Sequence, residues 1–324
     1  MEKLVVGIDI GGTNTDYGIF DKEGNCFVKN SFSTNKQDTF EIFIEKLYQE
    51  IEKSKKKIEN KYNIIGIGIG APNGNYYSGT IEFAPNLNWK GVLHITEFFK
   101  KYYDIPIILT NDANAAANGE MIYGGAINMK DFIVITLGTG LGSGIVVNGN
   151  IVFGHNGLAG EIGHTIVDTN GRTCSCGKKG CLETYASATG IKRTVLELIN
   201  TNNTPSILRN KKSNNISAID IEIAAKKGDK IALEAFEYTG KILGLKLADT
   251  IAHTNPEAIF LHGGLSKAGD LIFKPTKKWM EHYLLAIYKN KVKLLHSQIE
   301  NSNAAILGAA SLIWSELDKN INQN

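Results

Sequence analysis

Apolar and polar positions along this chain switch repeatedly between the two-residue period of strands and the three-to-four-residue period of helices. The run Val5-Val-Gly-Ile-Asp-Ile10 reads as a strand that ends in Gly11-Gly12-Thr13, and a second strand follows through Gly18-Ile19. A helical stretch covers about 38–60, and the strand Ile64–Ile69 comes next. A helix near 93–102 precedes the strand Pro106–Thr110. Asn111 to about Gly124, rich in Ala, predicts a helix capped by Asn111 or Asp112. Later segments predict mostly helix to about 254, the strand Ala258–His262, a Gly-Gly turn, a helix, a strand at 292–296 and a last helix at 304–318. The stretch 201–216, rich in Asn, Lys, Ser and Thr, reads as a mobile loop.

The pattern contains a weak repeat. Val5-Val-Gly-Ile-Asp-Ile-Gly-Gly-Thr13 with Gly18-Ile19 resembles Ile133-Val-Ile-Thr-Leu-Gly-Thr139 with Gly144-Ile145, an offset of 126 residues. Each copy predicts a strand, a Gly/Thr turn and a second strand, and a turn near Gly24-Asn25 or Gly149-Asn150 leads to a third. Two α/β halves that start alike imply two similar domains facing across a cleft.

Composition narrows the class. The chain has 324 residues, enough for two domains. Its 35 Lys+Arg nearly balance 33 Asp+Glu, so no charge excess draws it to nucleic acid or anionic membrane. Lys53-Ser-Lys-Lys-Lys57 reads as a solvated helix face. The chain enters its first strand at once, with no leader pattern, and no apolar run approaches the ~18–20 residues of a membrane span. The expectation is a cytoplasmic protein.

Three of the four cysteines fall within Cys174-Ser-Cys176-Gly-Lys-Lys-Gly-Cys181, and His164 lies ten residues upstream. A tetrahedral zinc needs four such ligands on a chain able to wrap one ion. His164, Cys174, Cys176 and Cys181 supply the set, and four protein ligands imply a closed structural site. Buried thiols fit less well because the cysteines are clustered with interleaved Gly, and a disulfide because three clustered cysteines leave one unpaired. The metal would bring Glu161 and Glu183 together as the rim of a polar pocket. Cys26 reads as a core or strand residue.

Glycine turns carry the second candidate chemistry. Asp9-Ile-Gly11-Gly12-Thr13 places a carboxylate beside backbone amides that can converge on an anion: Asp9 could hold a Mg²⁺ shell and Thr13 could donate to a phosphate. Gly138-Thr139-Gly140 offers a second such turn; an ordinary hairpin explains either one alone, but two in equivalent places could clamp a triphosphate. No Gly-Lys-Ser or Gly-Lys-Thr occurs, and the second turn has no helical continuation, so Walker-type and dinucleotide folds are disfavoured. Asn111-Asp112 is either a helix cap or a carboxylate aimed into a cleft. Pro85-Asn86-Leu-Asn88-Trp89 suits a hydroxylated ligand or is a plain surface loop. Gly263-Gly264 admits a flat ligand to the backbone or starts a helix.

Taken together, these motifs resemble the ROK family of the actin-like ATPase superfamily, nearly end to end, and most specifically through Cys174 to Glu183. Within that family the chain looks most like the bacterial glucokinases. The resemblance implies an α/β fold of two actin-like (ribonuclease H-like) domains around a cleft, 1–118 with 305–324 and 119–304, the second carrying a small zinc knuckle. It implies ATP- and Mg²⁺-dependent phosphorylation of glucose at the 6-hydroxyl, with Asp112 as general base. Asn86, Asn111, Asp112, Glu161, His164 and Glu183 would bind the sugar; Asp9, Gly11, Gly12, Thr13, Gly138, Thr139, Gly140, Gly263 and Gly264 would hold ATP. It also implies a homodimer or homotetramer.

Two departures stand out: Gly70-Ala-Pro-Asn-Gly74, where Gly-x-Pro-Gly is commoner, and Thr15-Asp-Tyr17 after the first turn. Kinases for N-acetylglucosamine, N-acetylmannosamine or mannose are near alternatives. A sugar-sensing repressor is a further one, disfavoured because strand one begins by about residue 4 and leaves no room for a helix-turn-helix. A zinc-ribbon nucleic-acid binder would need more bases than Arg172, Lys178 and Lys179.

Overall fold

The structure, a computed structural model, describes residues 2–58, 61–299 and 304–322. The expected helix end near 60 and the outermost residues of the first expected domain lie outside them. The chain divides into two compact units: Met1–Met129 with Ile151–Ala159 and Gln298–Asn324, and Lys130–Asn150 with Gly160–Ser297.

In the first unit, β1 (Glu2–Ile10), β2 (Asn14–Phe20), β3 (Cys26–Ser33), β4 (Tyr62–Ala71) and β8 (Ile107–Asn111) form one sheet in the order β3-β2-β1-β4-β8. β1 pairs antiparallel with β2 and parallel with β4, and β4 pairs parallel with β8. Leu4, Val6, Ile8 and Ile10 pack with Phe40, Phe43, Ile44, Leu47 and Ile51 of α1 (Phe40–Lys55). Val5 packs instead with Ile306, Ala310, Ile313 and Trp314 of the C-terminal helix, Ala304–Asn322. Both faces of β1 are covered, so its apolar run is continuous rather than alternating. Each Ile or Phe buried there contributes about 1.5–3 kcal/mol.

α1 begins where the Thr39 side chain accepts from the Ile42 N–H, and it ends at Lys55, short of the expected 60. Its apolar stripe stops at Ile51, and Lys55 to Lys57 stay exposed. α2 is only Ile95–Phe99, shorter than the expected 93–102, because Val92–Leu93 is paired as a strand and Lys100 to Tyr102 form turns. A small sheet of β5 (Gly74–Asn75), β6 (Thr80–Glu82) and β7 (Val92–Leu93) was not legible, since strands of two or three residues show no period. Asn73, in the unusual Pro-Asn-Gly stretch, has φ 52° and donates its side-chain amide to the Glu82 carbonyl at 2.9 Å. Asparagine therefore serves there in the left-handed region that glycine otherwise occupies.

α3 (Asp112–Tyr123) carries Glu120, which is 1% exposed. Its two carboxylate oxygens accept the N–H groups of Gly125 (2.8 Å) and Gln298 (3.0 Å), fixing two segments far apart in sequence.

In the second unit, β9 (Phe132–Leu137), β10 (Leu141–Val147), β11 (Asn150–Ile151), β12 (Ala258–His262) and β13 (Lys293–His296) form a sheet in the order β11-β10-β9-β12-β13. The order and the parallel and antiparallel senses repeat those of the first sheet, as the sequence repeat implies. The third strand of this copy is cut to two residues. Helices α4 (Ala188–Thr201), α5 (Ala218–Lys226), α6 (Lys230–Thr254) and α7 (Asp270–Tyr283) share its core. The 201–216 stretch is a loop with two 3-10 turns, tied by Arg209 to the Thr204 and Ile199 carbonyls at 3.0 and 2.9 Å. Cys26 is an exposed residue of β3. Among the described residues, no helix is long and apolar enough to cross a membrane.

Candidate functional site

The first group of site residues collects at the carboxyl ends of the parallel strands. Pairing puts Asp9 beside Gly70 and Gly70 beside Thr110, and the next residues of β8 lead into α3. A side chain at Gly70 would lie 3.9 Å from the Asp9 carboxylate and 3.6 Å from the Asp112 Cα, so both acids border one glycine. Asn111 is the helix N-cap: its Oδ1 accepts the Ala113 N–H at 2.9 Å. Asp112 is the first helical residue, and its Oδ1 shares the same N–H at 2.8 Å. The two readings of this pair thus divide between its members, one a cap and the other a carboxylate at the helix head.

Part of Asp112 reaches solvent, yet the protein around it hinders hydration of the charge and pushes its carboxyl above the ordinary range, while the Ala113 N–H pulls it back. Asp9 is raised to about 7 by burial, then by the charges of Asp112 and Asp16. Asp9, with the Asp112 and Asp16 carboxylates near enough to repel it, offers hard oxygen donors that suit a Mg²⁺ shell. In the adjoining turn the Gly11 N–H bonds to the Asn14 carbonyl at 2.9 Å, and Thr13 is exposed. A Cβ on Gly12 would stand 2.3 Å from the Asn86 carbonyl, so only glycine lets this turn meet the Pro85–Trp89 loop. Leu87 and Trp89 anchor that loop in the core and leave Asn86 exposed.

The second group lies in the other unit. His164 closes a 3-10 turn, Ile162–His164, and the cysteines follow in a loop pinned by short bridges at Ile166/Cys181 and Thr173/Lys179. The ligand atoms of His164, Cys174, Cys176 and Cys181 all lie within 4.8 Å of one another. Cys176 and Cys181 sulfurs are 3.6 Å apart, and the Cys174 sulfur is 3.7 Å from His164 Nδ1. A tetrahedral zinc with Zn–S of about 2.3 Å sets sulfurs about 3.8 Å apart, so the set fits. Burial and the neighbouring thiols push Cys181 up to about 12, so metal uptake there releases protons. Nε2 of His164 faces the Glu161 carboxylate at 4.0 Å.

Glu183 sits 3.8 Å from the Cys174 sulfur through one oxygen, and its other oxygen accepts the Leu141 N–H at 3.0 Å. It therefore touches both the cluster and the Gly138–Gly140 turn. Gly263, at φ 97°, abuts that turn too, since a Cβ there would be 2.8 Å from the Leu137 carbonyl oxygen.

Two features escaped the sequence reading. Arg172 is a post for the cysteine loop: its guanidinium donates to the Thr184 and Gly190 carbonyls at 2.7 and 3.1 Å and lies 4.4 Å over the Tyr185 ring. A groove of about 430 Å³ runs along α6 and α7, with Leu233, Phe236, Leu271 and Pro275 as its apolar wall and Glu234, Glu237 and Asp270 as its acids. Its residues are scattered across two helices and left no local signal.

A family profile described as "ROK family" matches residues 5–316. The chain is 36% identical over 316 residues to a glucokinase of Halalkalibacterium halodurans, covering 96% of this chain and 95% of the relative. It is 29% identical to a xylose repressor of Bacillus subtilis, covering 95% of this chain and 76% of the repressor. It superposes with a TM-score of 0.80 and 31% identity on a Streptomyces griseus glucokinase solved with glucose and AMPPNP, covering 95% and 98% of the two chains.

Proposed function

The chain belongs to the ROK family, and on that premise we propose that it is a glucokinase, transferring the γ-phosphoryl group of ATP to the 6-hydroxyl of glucose. The observation that carries this reading is Asp112 at the head of α3, its carboxyl raised, bordering the same glycine as Asp9, the residue that leads into the first glycine turn. The kinship with glucokinases and with a structure holding glucose and a nucleotide supports it.

In this reading Asp112 takes the proton of the 6-hydroxyl as that oxygen attacks the γ-phosphorus, and the bond to the ADP oxygen breaks. A raised carboxyl is nearer the operating pH and is a better proton acceptor than an ordinary one. Asn86, Asn111, Glu161, His164 and Glu183 bind ring hydroxyls, which both donate and accept. Gly11, Gly12, Thr13, Gly138, Thr139, Gly140, Gly263 and Gly264 hold the nucleotide. Mg²⁺ with ATP, near Asp9, would neutralise phosphate charge. Zinc, on His164 Nδ1, Cys174, Cys176 and Cys181, would be structural, with His164 Nε2 left to face Glu161 and the sugar. A cytoplasmic homodimer or homotetramer completes the proposal.

The xylose-repressor kinship favours a second reading, a sugar-sensing regulator without catalysis. A coupled ADP-release assay over glucose, mannose, N-acetylglucosamine and N-acetylmannosamine separates the two. The kinase reading expects turnover, with kcat/KM highest for glucose and N-acetylglucosamine lower by about tenfold or more, as befits an unpaired or crowded buried polar group. No turnover with any hexose overturns the kinase reading. A better rate with an N-acetylated hexosamine overturns only the choice of glucose.

A further inference from the structure

We propose that Thr189 is a positioning residue for the nucleotide, aiming the backbone amides of the Gly138–Gly140 turn; the inference rests on the assignment of that turn to ATP. A Gly-Thr-Gly turn has wide conformational freedom, so its amides converge on an anion only if something fixes the peptide planes. Three bonds do so. The Ala188 N–H donates to the Gly138 carbonyl at 2.9 Å, the Thr189 hydroxyl donates to the Thr139 carbonyl at 2.8 Å, and the Leu141 N–H donates to Glu183 at 3.0 Å.

In a trans peptide the C=O and the following N–H point in opposite directions. Drawing the Thr139 carbonyl toward α4 therefore turns the Gly140 N–H away from it. Drawing the Gly138 carbonyl the same way turns out the Thr139 N–H. Among the described residues neither N–H has a protein acceptor, and the Thr139 side chain is exposed beside them. The grip is anchored in turn. Ser187 caps α4 by accepting the Gly190 N–H at 3.0 Å and donates to the Glu183 carbonyl at 2.7 Å, two residues beyond Cys181. The cysteine loop is thus coupled to the nucleotide turn, and not only to sugar-binding carboxylates.

The test compares Thr189→Val, which keeps the shape and loses the donor, with Thr189→Ser, which keeps the donor. Thr189 is exposed, so folding should be unaffected, and thermal melting checks this. Equilibrium titration with a fluorescent ATP analogue, without sugar, should show about a two- to tenfold loss of affinity for the valine variant, the range of one hydrogen bond. KM for ATP should rise in parallel while KM for sugar stays within about twofold of wild type, and serine should restore both. Unchanged nucleotide affinity in Thr189→Val, or equal shifts for both substrates, overturns the proposal. Wild-type protein that binds the analogue but phosphorylates no hexose overturns the kinase reading while the titration still decides the role of Thr189. Wild-type protein that binds no nucleotide overturns both.

Discussion

Asp112 and Asp9 border the same glycine, yet their environments differ. Asp112 is an exposed residue at a helix head, and the proposed mechanism makes it the proton acceptor. Asp112→Asn keeps the shape and removes the basic oxygen, so kcat should fall by about 10²–10⁴ with the fold and most sugar binding kept. A steady-state assay giving near wild-type kcat would reduce Asp112 to a helical carboxylate of no catalytic weight. Asp9 is raised to about 7, above its unfolded value, so the native state holds this proton more tightly than the unfolded chain does. Its contribution to stability is complete below about pH 4 and is lost as pH climbs through about 7. In metal-free and nucleotide-free buffer, Asp9→Asn should therefore gain stability relative to wild type between about pH 5 and pH 8, read from melting temperatures. A difference independent of pH would refute this.

At the scale of the element, a loop with little regular structure is held by its side chains. The cysteine loop has two isolated bridges, the Arg172 post and four ligand side chains within reach of one ion. Cys176→Ser should abolish bound zinc, lower the melting temperature and weaken substrate binding through displaced Glu161 and Glu183. Elemental analysis of protein purified without added metal checks the first point, and intact, active protein free of zinc would sink the assignment. The glycine turn obeys the same logic of anchored backbone. Thr139→Val removes an exposed hydroxyl next to two outward amides, so KM for ATP should rise more than KM for sugar. Equal effects on the two kinetic constants would move the turn out of the nucleotide site.

At the scale of the whole molecule, stability depends on bonds between segments far apart in sequence. Glu120 joins Gly125 and Gln298 through one buried carboxylate. Glu120→Ala leaves two backbone N–H groups without that acceptor and should destabilise the fold by about 1–3 kcal/mol or more, with Glu120→Gln less severe because it keeps one acceptor oxygen. Denaturant midpoints of the variants test the order, and an alanine variant as stable as wild type would show that water replaces the carboxylate.

The sequence alone determined the alternation of strands and helices, the repeat, the histidine and cysteines that cluster, and the family, because each is written in local spacing: apolar runs of strand length, glycines at strand ends, and three cysteines in eight residues. Its repeat of motif became a repeat of strand order in two separate sheets. It did not determine which member of Asn111-Asp112 caps the helix, because both residues favour that position and both accept the Ala113 N–H; only the backbone separates them, extended at Asn111 (φ −61°, ψ 145°) and helical from Asp112. Nor could it show that asparagine fills a left-handed site at residue 73, or that Glu183 and Thr189 grip the second glycine turn from more than 40 residues away. Those facts depend on which chain segments the packed sheets and helices bring within a hydrogen bond of one another, and local spacing does not encode a long-range distance of 3 Å.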